Sequence, residues 1–161
     1  MSGGLRERAL EAAGRVFDPE IPVLTIGDLG VLRDVRVAGD TVEIDITPTY
    51  SGCPAMRTIE QDLAVALRAA GIEKFRIATV LSPAWTTDWL SAEGRRKLAE
   101  YGIAPPSGTA SRRALFGAVS VACPRCGSSN TERLAEFGST ACKALYRCRA
   151  CAEPFDYFKC H

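Results

Sequence analysis

The chain has 161 residues, of which 47% are hydrophobic and 24% are charged, and its formal net charge is +1. This composition is typical of a globular protein and excludes a largely disordered chain. The near-neutral charge argues against strong attraction to nucleic acid or to a membrane surface, and no apolar run approaches the roughly 20 residues of a membrane-spanning helix.

The cysteines indicate both a compartment and a metal. Six of the seven cysteines lie in the last 39 residues, and the first residues lack the apolar core of a signal peptide. We therefore expect a cytoplasmic protein, in which thiols stay reduced and clustered cysteines bind metal rather than form disulfides.

Hydrophobic patterning in the first part of the chain predicts an α+β domain of the order αββαβ(α), with a three-stranded sheet packed on helices. In chain order the segments are a helix over residues 5–17, strands over residues 31–37 and 41–47, a helix whose apolar face runs from Ile59 to Ala70, a strand over residues 74–81 and a short helix over residues 91–101. A small β-rich zinc ribbon is predicted to follow this domain.

Cys53 lies between the second strand and the second helix, with Gly52 before it and Pro54 after it. Pro54 suits the first helical position, because proline has no N–H to lose there. The positive end of the helix dipole favours a thiolate over a thiol. Cys53 is therefore a candidate reactive or metal-handling thiolate, and the alternative is a small buried hydrophobic side chain.

Two residue pairs in loops each have two interpretations. Asp18 and Glu20 flank Pro19, and they are either part of a solvated turn or acidic groups of a site. Trp85 and Trp89, the only tryptophans, either cover the core or form an anchor surface for a partner.

The strongest local motif is a pair of CxxC sequences, Cys123 to Cys126 and Cys148 to Cys151, with 21 residues between the inner cysteines. Each CxxC directs two thiolates towards one point, and two of them form a tetrahedral Cys₄ site suited to Zn²⁺. Iron in a rubredoxin-like site is the chemical alternative.

The composition of residues 104–113, which include two prolines and a glycine, is that of a linker. We predict a first domain over residues 1–104, a linker over residues 105–118 and a zinc ribbon over residues 119–161.

Three further soft ligands lie outside the Cys₄ set, namely Cys142, Cys160 and His161. They are either packing residues or a second set of metal ligands.

Several kinds of catalysis lack the residues that they need. His161 is the only histidine, so the first domain contains no Cys–His dyad, and the sequence has neither a P-loop nor a dinucleotide-binding glycine motif. Basic and aromatic residues alternate in the ribbon, but its net charge of only +2 argues against nucleic-acid binding. We therefore expect a protein that carries or delivers rather than an enzyme.

The sequence resembles a known family over nearly its whole length. The first domain looks like the SufT-like iron–sulfur assembly factors, and the complete chain resembles the PaaD (PaaJ) family of phenylacetate-degradation accessory proteins. The motifs that carry the resemblance are residues 18–20, 27–30 and 49–54 for the first domain, and residues 83–89, 101–106, 137–148 and 158–161 for the complete chain.

This resemblance implies a place in aerobic phenylacetate catabolism, as a factor that assists iron–sulfur or iron-centre assembly in the phenylacetyl-CoA epoxidase system. It implies that Cys53 is the reactive cysteine, that Asp18 and Glu20 form its acidic loop, and that iron or a cluster is held transiently. The implied partners are subunits of the epoxidase complex, above all its iron–sulfur reductase. The alternative is a non-catalytic structural subunit that docks through its ribbon and the Trp85/Trp89 surface.

Overall fold

A computed structural model of the chain describes residues 4–50, 52–106, 121–138, 140 and 142–158. The elements are α1 (Leu5–Ala13), α2 (Ile26–Leu29), β1 (Leu32–Ala38), β2 (Thr41–Ile46), α3 (Ala55–Ala69), β3 (Phe75–Thr79), a 3-10 turn (Thr87–Trp89), α4 (Ala92–Tyr101), β4 (Ile103–Ala104), β5 (Thr131–Ala135), β6 (Lys143–Cys148) and β7 (Pro154–Phe158). None of the helices in these described ranges is both long enough and apolar enough to cross a membrane.

The chain divides into two compact units between Trp85 and Thr86. The first unit contains a three-stranded sheet of order β1-β2-β3, which confirms the predicted α+β class. β1 and β2 form an antiparallel hairpin, whereas β2 and β3 pair in parallel. A parallel pair needs a long crossover connection, and α3 provides it. Cys53 is therefore placed where the chain leaves β2 and enters α3.

The core of the first unit follows directly from sequence periodicity. Alternate residues of β2 are buried, and so is one stripe of α3 at helical spacing. The fully buried members of these two sets are Val42, Ile44, Ile46, Ile59, Leu63 and Leu67. Burial of each such side chain contributes about 1.5–3 kcal/mol to the free energy of unfolding.

Trp85 belongs to this core. Its side chain is only 5% exposed, and its indole N–H donates a hydrogen bond of 2.8 Å to the carbonyl oxygen of Leu29. The core-covering interpretation therefore holds for Trp85, and the exposed-anchor interpretation does not. Trp89 lies in the second unit and is half-buried.

The second unit contains a four-stranded sheet of order β4-β7-β6-β5. β6 is antiparallel to both of its neighbours, and β4 pairs in parallel with β7, with Ile103 opposite Asp156. Because Ile103 and Ala104 are buried and bonded to β7, α4 and β4 belong with the ribbon. The structural division therefore falls earlier than the predicted boundary after residue 104. Residues 107–118 of the predicted linker lie outside the described residues.

The Trp85 contact gives a stability prediction. We expect Trp85→Phe to lower the free energy of unfolding by about 2 kcal/mol, because it leaves the Leu29 carbonyl without its donor and opens a void. Urea denaturation of the zinc-loaded protein measures this change. Leu81→Ala, at a side chain that is 71% exposed in the same segment, is the control and should change stability by less than about 0.5 kcal/mol. Equal effects of the two variants would contradict the assignment.

Candidate functional site

Cys53 lies at the end of a tight turn that connects β2 to α3. Its backbone N–H donates to the carbonyl oxygen of Tyr50 at 3.3 Å. Gly52 has a φ of +73°, in the left-handed region that glycine enters without steric cost. Pro54 is the N-cap residue of α3 and has helical dihedral angles. The thiol, which is half-buried, thus lies beside the first free amides of α3.

A hydrogen bond joins this turn to the loop after α1. The Tyr50 hydroxyl donates to Glu20 Oε1 at 3.0 Å, across 30 residues of sequence. Burial first, and then this bond to Glu20, raise the pKa of Tyr50 well above its usual value. Tyr50 is therefore a neutral phenol and a donor at physiological pH. The sequence contains Tyr50 in the motif that precedes Cys53, but no spacing pattern identifies it as part of the site.

Asp18 organises the loop that presents Glu20. Its side chain is only 6% exposed. Its Oδ1 accepts hydrogen bonds from the backbone N–H groups of Glu20 at 2.8 Å and Ile21 at 2.9 Å. The two acidic residues thus have different hydrogen-bond partners. Asp18 accepts from backbone N–H groups of its own loop, whereas Glu20 accepts from the side chain of Tyr50. A simple solvated turn describes neither of them.

The surroundings of Cys53 oppose the thiolate that the helix N-terminus alone favours. Burial raises the pKa of the Cys53 thiol, and the negative charges of Glu20 and Asp18 raise it further. The backbone N–H of Ala55 and the Tyr50 hydroxyl lower it, but they do not outweigh the raising effects. Cys53 is therefore a protonated thiol at neutral pH. The helix N-terminus does lower the pKa of Cys53, through the Ala55 N–H, but burial of the thiol, joined by the charges of Glu20 and Asp18, outweighs it.

The four cysteines of the ribbon converge as predicted. The Sγ atoms of Cys123, Cys126, Cys148 and Cys151 all lie within 4.8 Å of one another. The Cys123–Cys151 and Cys126–Cys148 sulfur pairs are 3.8 Å and 3.5 Å apart. Tetrahedral zinc with Zn–S bonds of about 2.3 Å places its sulfurs about 3.8 Å apart. The residues present therefore fit a zinc ion.

Backbone amides support this thiol cluster. The N–H groups of Arg125 and Cys151 approach the sulfurs of Cys123 and Cys148 at 3.4 Å and 3.5 Å. The backbone N–H groups of Cys151 and then Ala150 lower the pKa of Cys148 to about 7. The amides thus favour the thiolate of Cys148, whereas burial and the neighbouring sulfurs raise the pKa of Cys151 to about 12, and the Cys148 sulfur and burial raise the pKa of Cys126. Metal binding must therefore displace the protons of these two thiols.

The predicted second ligand set is not assembled in the described residues. Cys142 is buried, its sulfur contacts Thr140 Oγ1 at 2.9 Å, and it is not a member of the four-thiol group. Cys160 and His161 lie outside the described residues. A second metal-handling role for these three residues stays a prediction.

The raised pKa of Cys53 predicts a pH profile. Because the thiolate is the nucleophile, alkylation should be slow at neutral pH and should accelerate as pH rises through the raised pKa. Glu20→Gln removes a negative charge beside the sulfur, so the profile should move to lower pH and the rate at pH 8 should increase severalfold. Peptide-resolved mass spectrometry with iodoacetamide measures the Cys53 rate. Glu73→Gln, at an exposed carboxylate, is the control, and equal rates for the two variants would contradict the electrostatic assignment.

The four-cysteine group predicts that folding of the ribbon, but not of the first unit, depends on zinc. Cys148→Ser should abolish tight zinc binding and unfold the ribbon strands, because a module this small needs its metal to fold. Cys142→Ser, which removes a buried thiol outside the group, should keep the zinc. Zinc analysis together with amide spectra of both variants measures this. Zinc loss in Cys142→Ser alone would contradict the ligand assignment.

Comparisons with known proteins agree with the two-part structure. Residues 6–80 match the family described as iron–sulfur cluster assembly protein, and residues 107–159 match the family described as PaaD zinc beta ribbon domain. A solved domain of unknown function from Bacillus anthracis superposes with a TM-score of 0.54 at 24% identity, covering 58% of this chain and 91% of that one. That likeness supports the fold of the first unit.

Two curated relatives extend the comparison. An Escherichia coli protein, named as a putative subunit of 1,2-phenylacetyl-CoA epoxidase, is 52% identical over 91% of this chain and 87% of its own length. An Fe-S protein maturation auxiliary factor from Porphyromonas gingivalis is 34% identical over 52% of this chain and 80% of its own length. The chain therefore belongs to the PaaD family, in which an iron–sulfur cluster assembly domain precedes a zinc ribbon.

Proposed function

We propose that this protein is a non-catalytic accessory factor of aerobic phenylacetate catabolism, which assists iron–sulfur or iron-centre assembly in the phenylacetyl-CoA epoxidase system. The name of the Escherichia coli relative supports the metabolic setting. The match of residues 6–80 to an assembly family, and the maturation factors among the relatives, support the assembly role.

The observation that carries the proposal is the single half-buried thiol at the start of α3, next to Tyr50 and the acidic loop. Iron is the cargo, so it is treated as a substrate of this site. The binding step exchanges one cation for one proton: the S–H bond of Cys53 breaks, an Fe–S bond forms and the proton leaves to solvent. Glu20 and Asp18 disfavour the bare thiolate but attract an arriving cation by the same negative charge.

The groups that attract the iron cation also favour its release from Cys53. A single thiolate in acidic surroundings is readily reprotonated when the cation departs, because burial and the two carboxylates raise the pKa of Cys53. A site with one thiolate also binds iron less firmly than the four thiolates that hold stable clusters. Cys53 is therefore suited to a transient load.

We assign a docking role to the ribbon, with zinc as a structural ion and the iron–sulfur reductase of the epoxidase system as the first partner to test. None of the described cysteines forms a disulfide, and we place the protein in the cytoplasm, where thiols stay reduced.

A second candidate is a structural subunit of the epoxidase complex, and the name of the Escherichia coli relative favours it. This alternative predicts stoichiometric co-purification with the complex and no dependence on Cys53. The carrier instead predicts substoichiometric association and a strict requirement for the thiol.

Cys53→Ser separates the two functions. In cells that produce the epoxidase system with this variant, we expect the reductase to retain less than about a tenth of its iron and sulfide, because a serine hydroxyl is a poor iron ligand. Met56→Leu, a volume-conserving change near the start of α3, is the control and should leave reductase loading unchanged. The measurement is anaerobic analysis of iron and sulfide in the purified reductase and of zinc in each purified variant of this protein.

The zinc content verifies that the ribbon is intact in each variant, since the four ribbon thiols are untouched. Fully loaded reductase from Cys53→Ser cells would contradict the carrier and favour the structural subunit.

A further inference from the structure

The two edge strands of the first sheet, β1 and β3, differ in how their outer backbone groups are bonded. In β1, Val35 lies opposite Ile44, and its N–H and C=O groups point away from β2. Side chains already occupy both groups, because the N–H donates to Asp34 Oδ1 at 2.9 Å and the carbonyl oxygen accepts from Arg6 Nε at 2.9 Å. The middle of the β1 edge is therefore closed to another strand.

The outer edge of β3 is open. The flanking residues Lys74 and Val80 bond to β2 through their backbone groups. Because the direction of these groups alternates along a strand, Phe75, Ile77 and Thr79 point theirs away from β2. In the described part of the chain, these outer N–H and C=O groups have no hydrogen-bond partner. β3 thus presents an unpaired edge, to which another strand can add.

Two charged side chains of α3 lie at the two ends of this edge. The guanidinium carbon of Arg68 is 5.3 Å from the centroid of the Phe75 ring, and Glu60 Oε1 accepts a hydrogen bond of 3.3 Å from the Thr79 hydroxyl. Neither charge forms an ion pair with another described residue. Along α3 the two residues are about 12 Å apart at 1.5 Å per residue, which matches the separation of about 13 Å between Phe75 and Thr79 along β3.

We propose that the outer edge of β3 is a self-association surface, on which β3 of a second copy of this chain pairs in antiparallel orientation about a two-fold axis. The axis passes between the two Ile77 residues, so each Ile77 lies opposite the other. Phe75 of each copy then lies opposite Thr79 of the other, and all the outer backbone groups of β3 exchange hydrogen bonds. Arg76 lies opposite Ala78, so no like charges face each other directly.

The charges of α3 argue for a second copy as the occupant. Since Phe75 of one copy faces Thr79 of the other, Arg68 at that Phe75 comes beside Glu60 at that Thr79. The two-fold axis repeats this contact, so both ion pairs form at once. The register that pairs the backbone is thus the register that neutralises both charges. A strand of a different protein would have to supply two matching charges of its own.

Hydrogen exchange at single residues tests the strand pairing in the zinc-loaded full chain. Between about 5 and 500 μM protein, the Ile77 and Thr79 amides should slow at least about tenfold, because they are unbonded in the monomer and bonded in the dimer. The Arg76 and Ala78 amides, which bond to β2, are the internal control and should be protected at both concentrations. Rapid exchange of Ile77 and Thr79 at every concentration would overturn the proposal.

Charge reversal tests the register. Sedimentation over about 1 to 500 μM should show a monomer–dimer equilibrium. Arg68→Glu and Glu60→Arg should each weaken dimerisation about tenfold, because each change occurs twice in a two-fold dimer and replaces attraction with repulsion. The double variant, which exchanges the two charges, should restore the wild-type dissociation constant.

Asp62→Arg makes the same charge change as Glu60→Arg, at an exposed position of α3 that lines a cavity beside α1. It is the matched control and should not change the dissociation constant. Unchanged thermal unfolding verifies that each variant is folded. A monomer at every concentration would overturn the proposal and leave the β3 edge to a strand of a different protein. A dimer that resists both single reversals, or one that the double variant does not restore, would overturn it equally. None of these outcomes depends on iron loading.

Discussion

The parallel pairing of β2 with β3 is the constraint on which the first unit depends. Parallel neighbours cannot be joined by a tight turn, so the chain must cross the sheet through a helix. The exit from β2 therefore becomes the start of α3, and Cys53 lies between them. The tight turn with Gly52 then brings the backbone of Tyr50 against that of Cys53. The loop after α1 completes the site, since Glu20 accepts the hydrogen bond of the Tyr50 hydroxyl from a distant part of the sequence.

The electrostatics of this site set a competition between a proton and a cation. Burial and two carboxylates oppose a bare negative charge on the sulfur, and the same carboxylates favour any positive charge beside it. The Tyr50 hydroxyl donates its one proton to Glu20, and its oxygen is an acceptor for the S–H of Cys53. The neutral phenol thus links the carboxylate to the thiol.

Sequence patterns within short segments predicted the elements whose structure depends on residues close together in the chain. The alternation in β2, the apolar stripe of α3 and the two CxxC sequences each led to the observed element or cluster, because periodicity and ligand spacing are properties of short segments. The pairing of Ile103 with Asp156 was missed, since a two-residue strand has no periodicity. The Tyr50–Glu20 bond was missed for a related reason, because it joins residues that are 30 positions apart. The raised pKa of Cys53 depends first on how far the folded chain buries the thiol, which a local pattern does not give.

The two thiol sites of this chain differ in ligand number, and that difference separates their chemistry. In the ribbon, four converging sulfurs match the coordination of a tetrahedral ion, and backbone amides favour the thiolate of Cys148. Such a closed site holds its metal as part of the fold. Cys53 offers one sulfur, held protonated by its surroundings, with carboxylate and phenol oxygens near it. A firmly bound ion would require further ligands from outside the site. In the proposed assembly role, the client protein supplies them: its cysteines replace Cys53 at the iron, and the proton returns to the sulfur.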